Sequence, residues 1–197
     1  MAKRAHIIVF DGFADWEPAL ALAELRRAGG FEVHAIGFGS EHVTSMGGLR
    51  VLVDRSVFDT PAEDVELLIL PGGDRWQCGD YPFEAVSSLV ARIEAAGRPI
   101  AAICGATVAL ARAGVLDRRR HTSNFRDFLV DNAREYSGQE HYVEALSVRD
   151  RGIVTASGLG SVEFARDILA EAGVYSEDAL ARWYDAFKHG RYTASAT

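Results

Sequence analysis

Pro99-Ile100-Ala101-Ala102-Ile103-Cys104-Gly105-Ala106-Thr107 is the stretch on which the reading of this chain turns. Residues 100–103 are short, apolar and unbroken, the pattern of a strand buried on both faces. Helix formers then run from Ala106 to Ala113, and Gly114 stops them. A thiol therefore sits on a tight strand-to-helix turn, the geometry of a nucleophile elbow with cysteine in the place of serine. Such a turn aims the side chain out of the sheet toward the first free N–H groups of the helix. Their partial positive charge favours an anion, so a thiolate with a depressed pKa is expected. A buried cysteine at a strand end is also commonly just a small hydrophobe, and the rest of the chain decides between the two readings.

Outward from this stretch, strands and helices alternate. Strands are expected at 6–10, 31–38, 66–70 and 100–103, each a continuous apolar run. Helices are expected at 18–28, 82–96, 106–113, 161–172 and 177–188, and at 125–133 with Ser123 or Asn124 as its N-cap. Residues 43–45 and 49–53 flank Met46-Gly47-Gly48 as a hairpin, and 142–148 and 152–156 read as strands joined by Arg149-Asp150-Arg151. Residues 193–197 read as a disordered tail. This order implies an α/β fold: a doubly wound, mostly parallel sheet with helices on both faces. In such sheets the site lies at the carboxyl ends of the central strands. Three breaks fall there: 11–17, Pro71-Gly72-Gly73, and Cys104-Gly105.

The 197 residues suit a single domain over 1–197 with a sizeable core. A net charge of −7 argues against nucleic acid or an anionic membrane as partner. No apolar run reaches membrane length. Two cysteines, Cys78 and Cys104, without an export signal point to a reducing cytoplasm. Cysteine and histidine spacing matches no zinc pattern, and neither metal nor cofactor is expected.

The three loops, taken together, resemble the PfpI superfamily, which includes the parkinsonism-associated deglycase. The marks are Glu17 at the start of the first helix, Leu70-Pro71-Gly72-Gly73, Ala102-Ile103-Cys104-Gly105-Ala106, Thr122-Ser123, and Ala156-Ser157-Gly158 before Glu163-Phe164-Ala165. The resemblance implies a class I glutamine amidotransferase-like fold, a flavodoxin-like sandwich, and a homodimer. It implies Cys104 as nucleophile and Glu17 as the acid that hydrogen-bonds the thiol and shuttles its proton. Gly73 and Gly105 would supply oxyanion N–H groups, with Gly72 and Asn124 also on the substrate side of the site. Trp16 adjoins Glu17 and is expected to line the pocket mouth or a subunit contact near it. A carboxyl beside a thiolate and shielded from water should hold its proton.

The departures from the superfamily matter as much. Deglycase-like and glyoxalase-like members usually carry a histidine where Asn124 stands, and protease-type members carry one directly after the cysteine, where this chain has Gly105. Glutamine amidotransferases use a His–Glu pair after a late strand, and Ser157-Gly158-Leu159 supplies neither. Peptidase and glutaminase activity are therefore disfavoured. Isocyanide-hydrating members carry Asp where Glu17 stands. His121 should point away from the elbow. Two functions remain: a hydrolase or lyase, glyoxalase- or hydratase-like, acting on a small electrophile such as a 2-oxoaldehyde; or a redox-sensing, stress-response protein of chaperone-like type, oxidised at Cys104.

Overall fold

The computed structural model describes residues 3–39 and 41–191. Among them the chain runs β1 (Lys3–Val9), α1 (Trp16–Arg27), β2 (Phe31–Gly37), β3 (His42–Thr44), β4 (Arg50–Leu52), β5 (Arg55–Ser56), β6 (Leu67–Leu70), α2 (Arg75–Cys78) and α3 (Phe83–Ala95). It continues with β7 (Ile100–Ile103), α4 (Thr107–Arg112), α5 (Arg126–Asn132), β8 (Ser147–Asp150), β9 (Ile153–Ala156), α6 (Ser161–Glu171) and α7 (Glu177–His189). The expectation for residues 193–197 lies outside the described residues.

Seven strands form one sheet in the order β5-β2-β1-β6-β7-β9-β8, and β3 and β4 form a separate hairpin. Every pairing in the main sheet is parallel except β8 with β9 at one edge. β6, β7 and β9 are buried along their whole length, as expected of short, largely apolar strands when helices cover both faces. α1 packs on α6 and α6 on α7, while α3 packs on α4 and α4 on α5, so two helical groups sandwich the sheet. The order reverses between β1 and β6, which places the crevice at their carboxyl ends, where this class of sheet binds its ligands.

Three elements differ from the sequence expectation. Residues 142–146 do not join β8. The Val143 N–H donates to the His121 carbonyl at 2.8 Å and the Thr122 hydroxyl donates to the Ala145 carbonyl at 2.8 Å, so this segment pairs with the chain ahead of α5 instead of with β9. Residues 75–78 form a short helix, with Gly79 at φ 71 ending it. Neither Ser123 nor Asn124 caps α5, whose flanking residue is Phe125 without a side-chain cap. Their side chains are used elsewhere, as described next. At the other end of the chain the expected cap is present: the Ser176 hydroxyl accepts from the Ala179 N–H at the start of α7.

Candidate active site

β7 ends at Ile103 and the chain turns through one 3₁₀ turn, Cys104–Ala106, into α4. Cys104 has φ 59, one of two non-glycine residues with positive φ among those described. This conformation costs an L-residue on the order of 1 kcal/mol or more. It is held by the Thr107 hydroxyl, which donates to the Cys104 carbonyl at 2.6 Å and lies 2.7 Å from the Ser123 hydroxyl. The strain points the thiol back over the sheet's carboxyl edge.

Glu17 reaches the same place from the first turn of α1. Its carboxyl is almost fully buried, and Oε2 accepts the Gly72 N–H at 2.6 Å. The Ala14 N–H donates to the Gly72 carbonyl, so the two loops are laced in both directions. A Cβ on Gly72 would lie 2.7 Å from Glu17 Oε2 and 2.8 Å from Cys104 Cβ, which leaves room only for glycine. Behind this loop the Trp76 indole N–H donates to the Pro71 carbonyl at 2.8 Å, and Phe10 meets the Trp76 ring edge-on. Gly73 lies at φ 148 with Phe10 so close that a Cβ would fall 2.7 Å from its ring.

The Gly72 N–H is committed to Glu17. Gly73 and Gly105 are the two glycines suited to receive an oxyanion. A Cβ on Gly105 would stand 2.9 Å from the Gly73 carbonyl, so the two glycines face each other. The Gly73 N–H has no hydrogen-bond partner among the described residues, and the Gly105 N–H is directed at the Cys104 sulfur.

Asn124 closes the other side. Its Nδ2 donates to the Cys104 sulfur at 3.5 Å, and its Oδ1 accepts the Gly158 N–H at 3.0 Å. A backbone N–H can only donate, so the amide oxygen must face Gly158 and the NH₂ must face the sulfur. Gly158 allows the approach, since a Cβ there would sit 3.0 Å from the sulfur and 3.3 Å from Glu17 Oε1. Trp16 is half exposed on α1 beside Glu17, with no hydrogen bond or ring contact to the site. No histidine contacts Cys104 among the described residues. His121 is buried in the core with Nδ1 at the Arg119 carbonyl and Nε2 2.6 Å from the Tyr136 hydroxyl.

The electrostatics of the pair differ from the sequence expectation in one half. Burial pushes the Glu17 carboxyl up to about 6, against the pull of the Gly72 and Cys104 hydrogen bonds. That half was expected. The thiol was expected to be depressed, yet burial and then the negative charge of Glu17 push Cys104 up to about 11, with Asn124 and the Gly105 N–H pulling the other way. Desolvation outweighs the N–H groups of one short turn. Near neutral pH the two groups hold one proton between them and titrate as a pair.

The DJ-1/PfpI family matches residues 3–171. The chain is 34% identical to a Bacillus subtilis protein named uncharacterized protease YoaZ, over 92% of this chain and 89% of that one. It is 29% identical to deglycase TK1284 of Thermococcus kodakarensis, over 74% of this chain and 87% of that one. The crystal structure of a DJ-1 superfamily protein from Agrobacterium tumefaciens superposes with a TM-score of 0.86 at 36% identity, covering 95% of this chain and 99% of that chain. Fold, cysteine elbow and sequence relatives agree, and the chain belongs to the DJ-1/PfpI family.

Proposed function

We propose that this chain is a cysteine-dependent enzyme of hydrolase or lyase type acting on a small carbonyl electrophile such as a 2-oxoaldehyde. The observation that carries the reading is the meeting of a strained, partly accessible thiol, a buried carboxyl with a raised pKa, and two facing glycines, Gly73 with its N–H unpartnered among the described residues and Gly105 with its N–H at the sulfur. As the sulfur attacks the carbonyl carbon, Glu17 takes the thiol proton and an S–C bond forms. The carbonyl π pair moves to oxygen, where the Gly73 and Gly105 N–H groups receive it. Glu17 then returns the proton to that oxygen and gives a neutral hemithioacetal. Asn124 holds the sulfur but has no proton to accept or release at neutral pH. For that reason the site lacks the imidazole base that a peptidase needs to protonate a leaving amine. The two cysteines are free thiols, which suits a cytoplasmic setting.

The test is turnover of a panel of small aldehydes and isocyanides. Cys104→Ser and Glu17→Gln should each lower the rate by about 100-fold or more, the range of a positioned acid–base group. Wild-type rates in either variant would overturn the assignment. A second reading, oxidation sensing, is favoured by the fixed Asn124 Nδ2 and the Gly105 N–H directed at the sulfur. There the sulfur attacks a peroxide oxygen, the O–O bond breaks and hydroxide leaves. A second equivalent of peroxide gives a sulfinate. Intact mass after peroxide treatment should then show two added oxygens on the wild type and none at this position in Cys104→Ser.

A further inference from the structure

A second cavity, of about 610 Å³, opens between the end of α2, the start of α3, α4 and the end of α5. Neither Cys104 nor Glu17 lines it. Its volume falls in the range of roughly 300–1,000 Å³ usual for small-molecule sites. Arg112 of α4 forms part of the wall, and its guanidinium is fixed from three sides. Nε donates to the Asn132 carbonyl at 3.0 Å, Nη1 to the Trp76 carbonyl at 2.9 Å and Nη2 to the Gln77 carbonyl at 3.2 Å. The same group lies 5.9 Å over the Tyr81 ring. A guanidinium carries five N–H donors. Three are spent on carbonyls and another faces the Tyr81 hydroxyl, which leaves one for a ligand.

Two further features converge on the same space. Asp131, Arg134 and Glu135 line the cavity, and none of them has an ion-pair partner among the described residues. Tyr81 and Phe83 add an aromatic wall, their rings packed edge to face at 6.2 Å.

We infer that this cavity binds a free amino acid with an apolar side chain. The carboxylate is received by Arg112 and by Arg134; the ammonium by Asp131 and Glu135; the side chain by Tyr81 and Phe83. The charge pattern selects a zwitterion. A plain anion meets two carboxylates, and a plain cation meets two guanidiniums, whereas a ligand carrying both charges pairs with all four. Arg is the residue suited to a planar carboxylate, and here it is already held in place before the ligand arrives.

The test is calorimetric titration of the Cys104→Ser protein, so that loss of turnover has no bearing on the result. The probes are L-phenylalanine, N-acetyl-L-phenylalanine and L-phenylalaninamide. L-Phenylalanine should bind about tenfold tighter than either blocked form, a difference of about 1.4 kcal/mol. The surface change Arg134→Ala should weaken it about fivefold. The double change Asp131→Asn and Glu135→Gln should erase the preference over the acetylated form. No saturable heat up to about 10 mM ligand, or equal binding of the three probes, would overturn the inference.

Discussion

At the scale of single residues, the site depends on one proton and one amide. Glu17 in the folded chain has its pKa raised from 4.5 to about 6. It therefore binds its proton more tightly folded than unfolded. The resulting stabilisation is complete below pH 4.5 and is lost as pH rises through 6, a change on the order of 2 kcal/mol. Glu17→Gln fixes the neutral form. Relative to wild type, its unfolding free energy should rise by about that amount between pH 4.5 and neutrality, read from urea titrations at both ends. An unchanged difference at the two pH values would mean that Glu17 is already ionised in acid. Asn124→Asp tests the amide. It exchanges an N–H donor 3.5 Å from the sulfur for a second carboxylate. The thiol pKa should climb further, and iodoacetamide alkylation of Cys104 near pH 8 should slow by about tenfold, one pKa unit's worth of thiolate. Equal rates would show that the Asn124 contact does not bear on the sulfur.

At the scale of elements, the elbow stores strain that the surroundings hold in place. Cys104 at φ 59 is locked by Thr107 and Ser123, and Ser123 is itself fixed because its carbonyl accepts the Tyr142 hydroxyl. Glycine adopts this conformation freely and alanine does not. Cys104→Gly should therefore be more stable than Cys104→Ala by about 1 kcal/mol, although both remove the sulfur. Denaturation midpoints of the two variants measure this directly. If alanine is as stable as glycine, the elbow in solution is not left-handed. The loop after β6 is the opposite case. Gly72 and Gly73 are glycines because side chains there would collide with Glu17, Cys104 and Phe10.

At the scale of the whole molecule, an apolar groove of about 680 Å³ runs along α1, β2 and the β3–β4 hairpin, with Leu22, Val33, Val51 and Leu52 among its walls. Trp16, Met46, Leu49 and Leu52 stand exposed on these same elements or on the hairpin turn. Apolar groups clustered on one face mark an interaction surface, and we propose that a second copy of the chain covers this one. Light scattering at low micromolar concentration should give the mass of a dimer, and Leu52→Glu should give that of a monomer. A wild-type monomer under those conditions would rule the dimer out. Within the described residues no helix is long and apolar enough to cross a membrane.

Much of this was legible in the order of residues. Apolar runs punctuated by glycine set the alternation of strands and helices, because strand and helix periods are local properties of a few consecutive side chains. The elbow at Cys104 and the double glycine could be read for the same reason, since each lies at a visible break, whereas the pairing with Glu17 came from the family resemblance. What only tertiary structure decided involves groups far apart in the chain. Asn124 lies 20 residues beyond Cys104 and 34 before Gly158, and their meeting turned an expected helix cap into a hydrogen-bond donor to the sulfur. The Gly72 N–H went to Glu17, 55 residues earlier. The thiol pKa rose because burial, which no short stretch reveals, outweighed the local N–H groups of the turn. Local pattern specifies which element forms, and only packing determines how much water each charge loses.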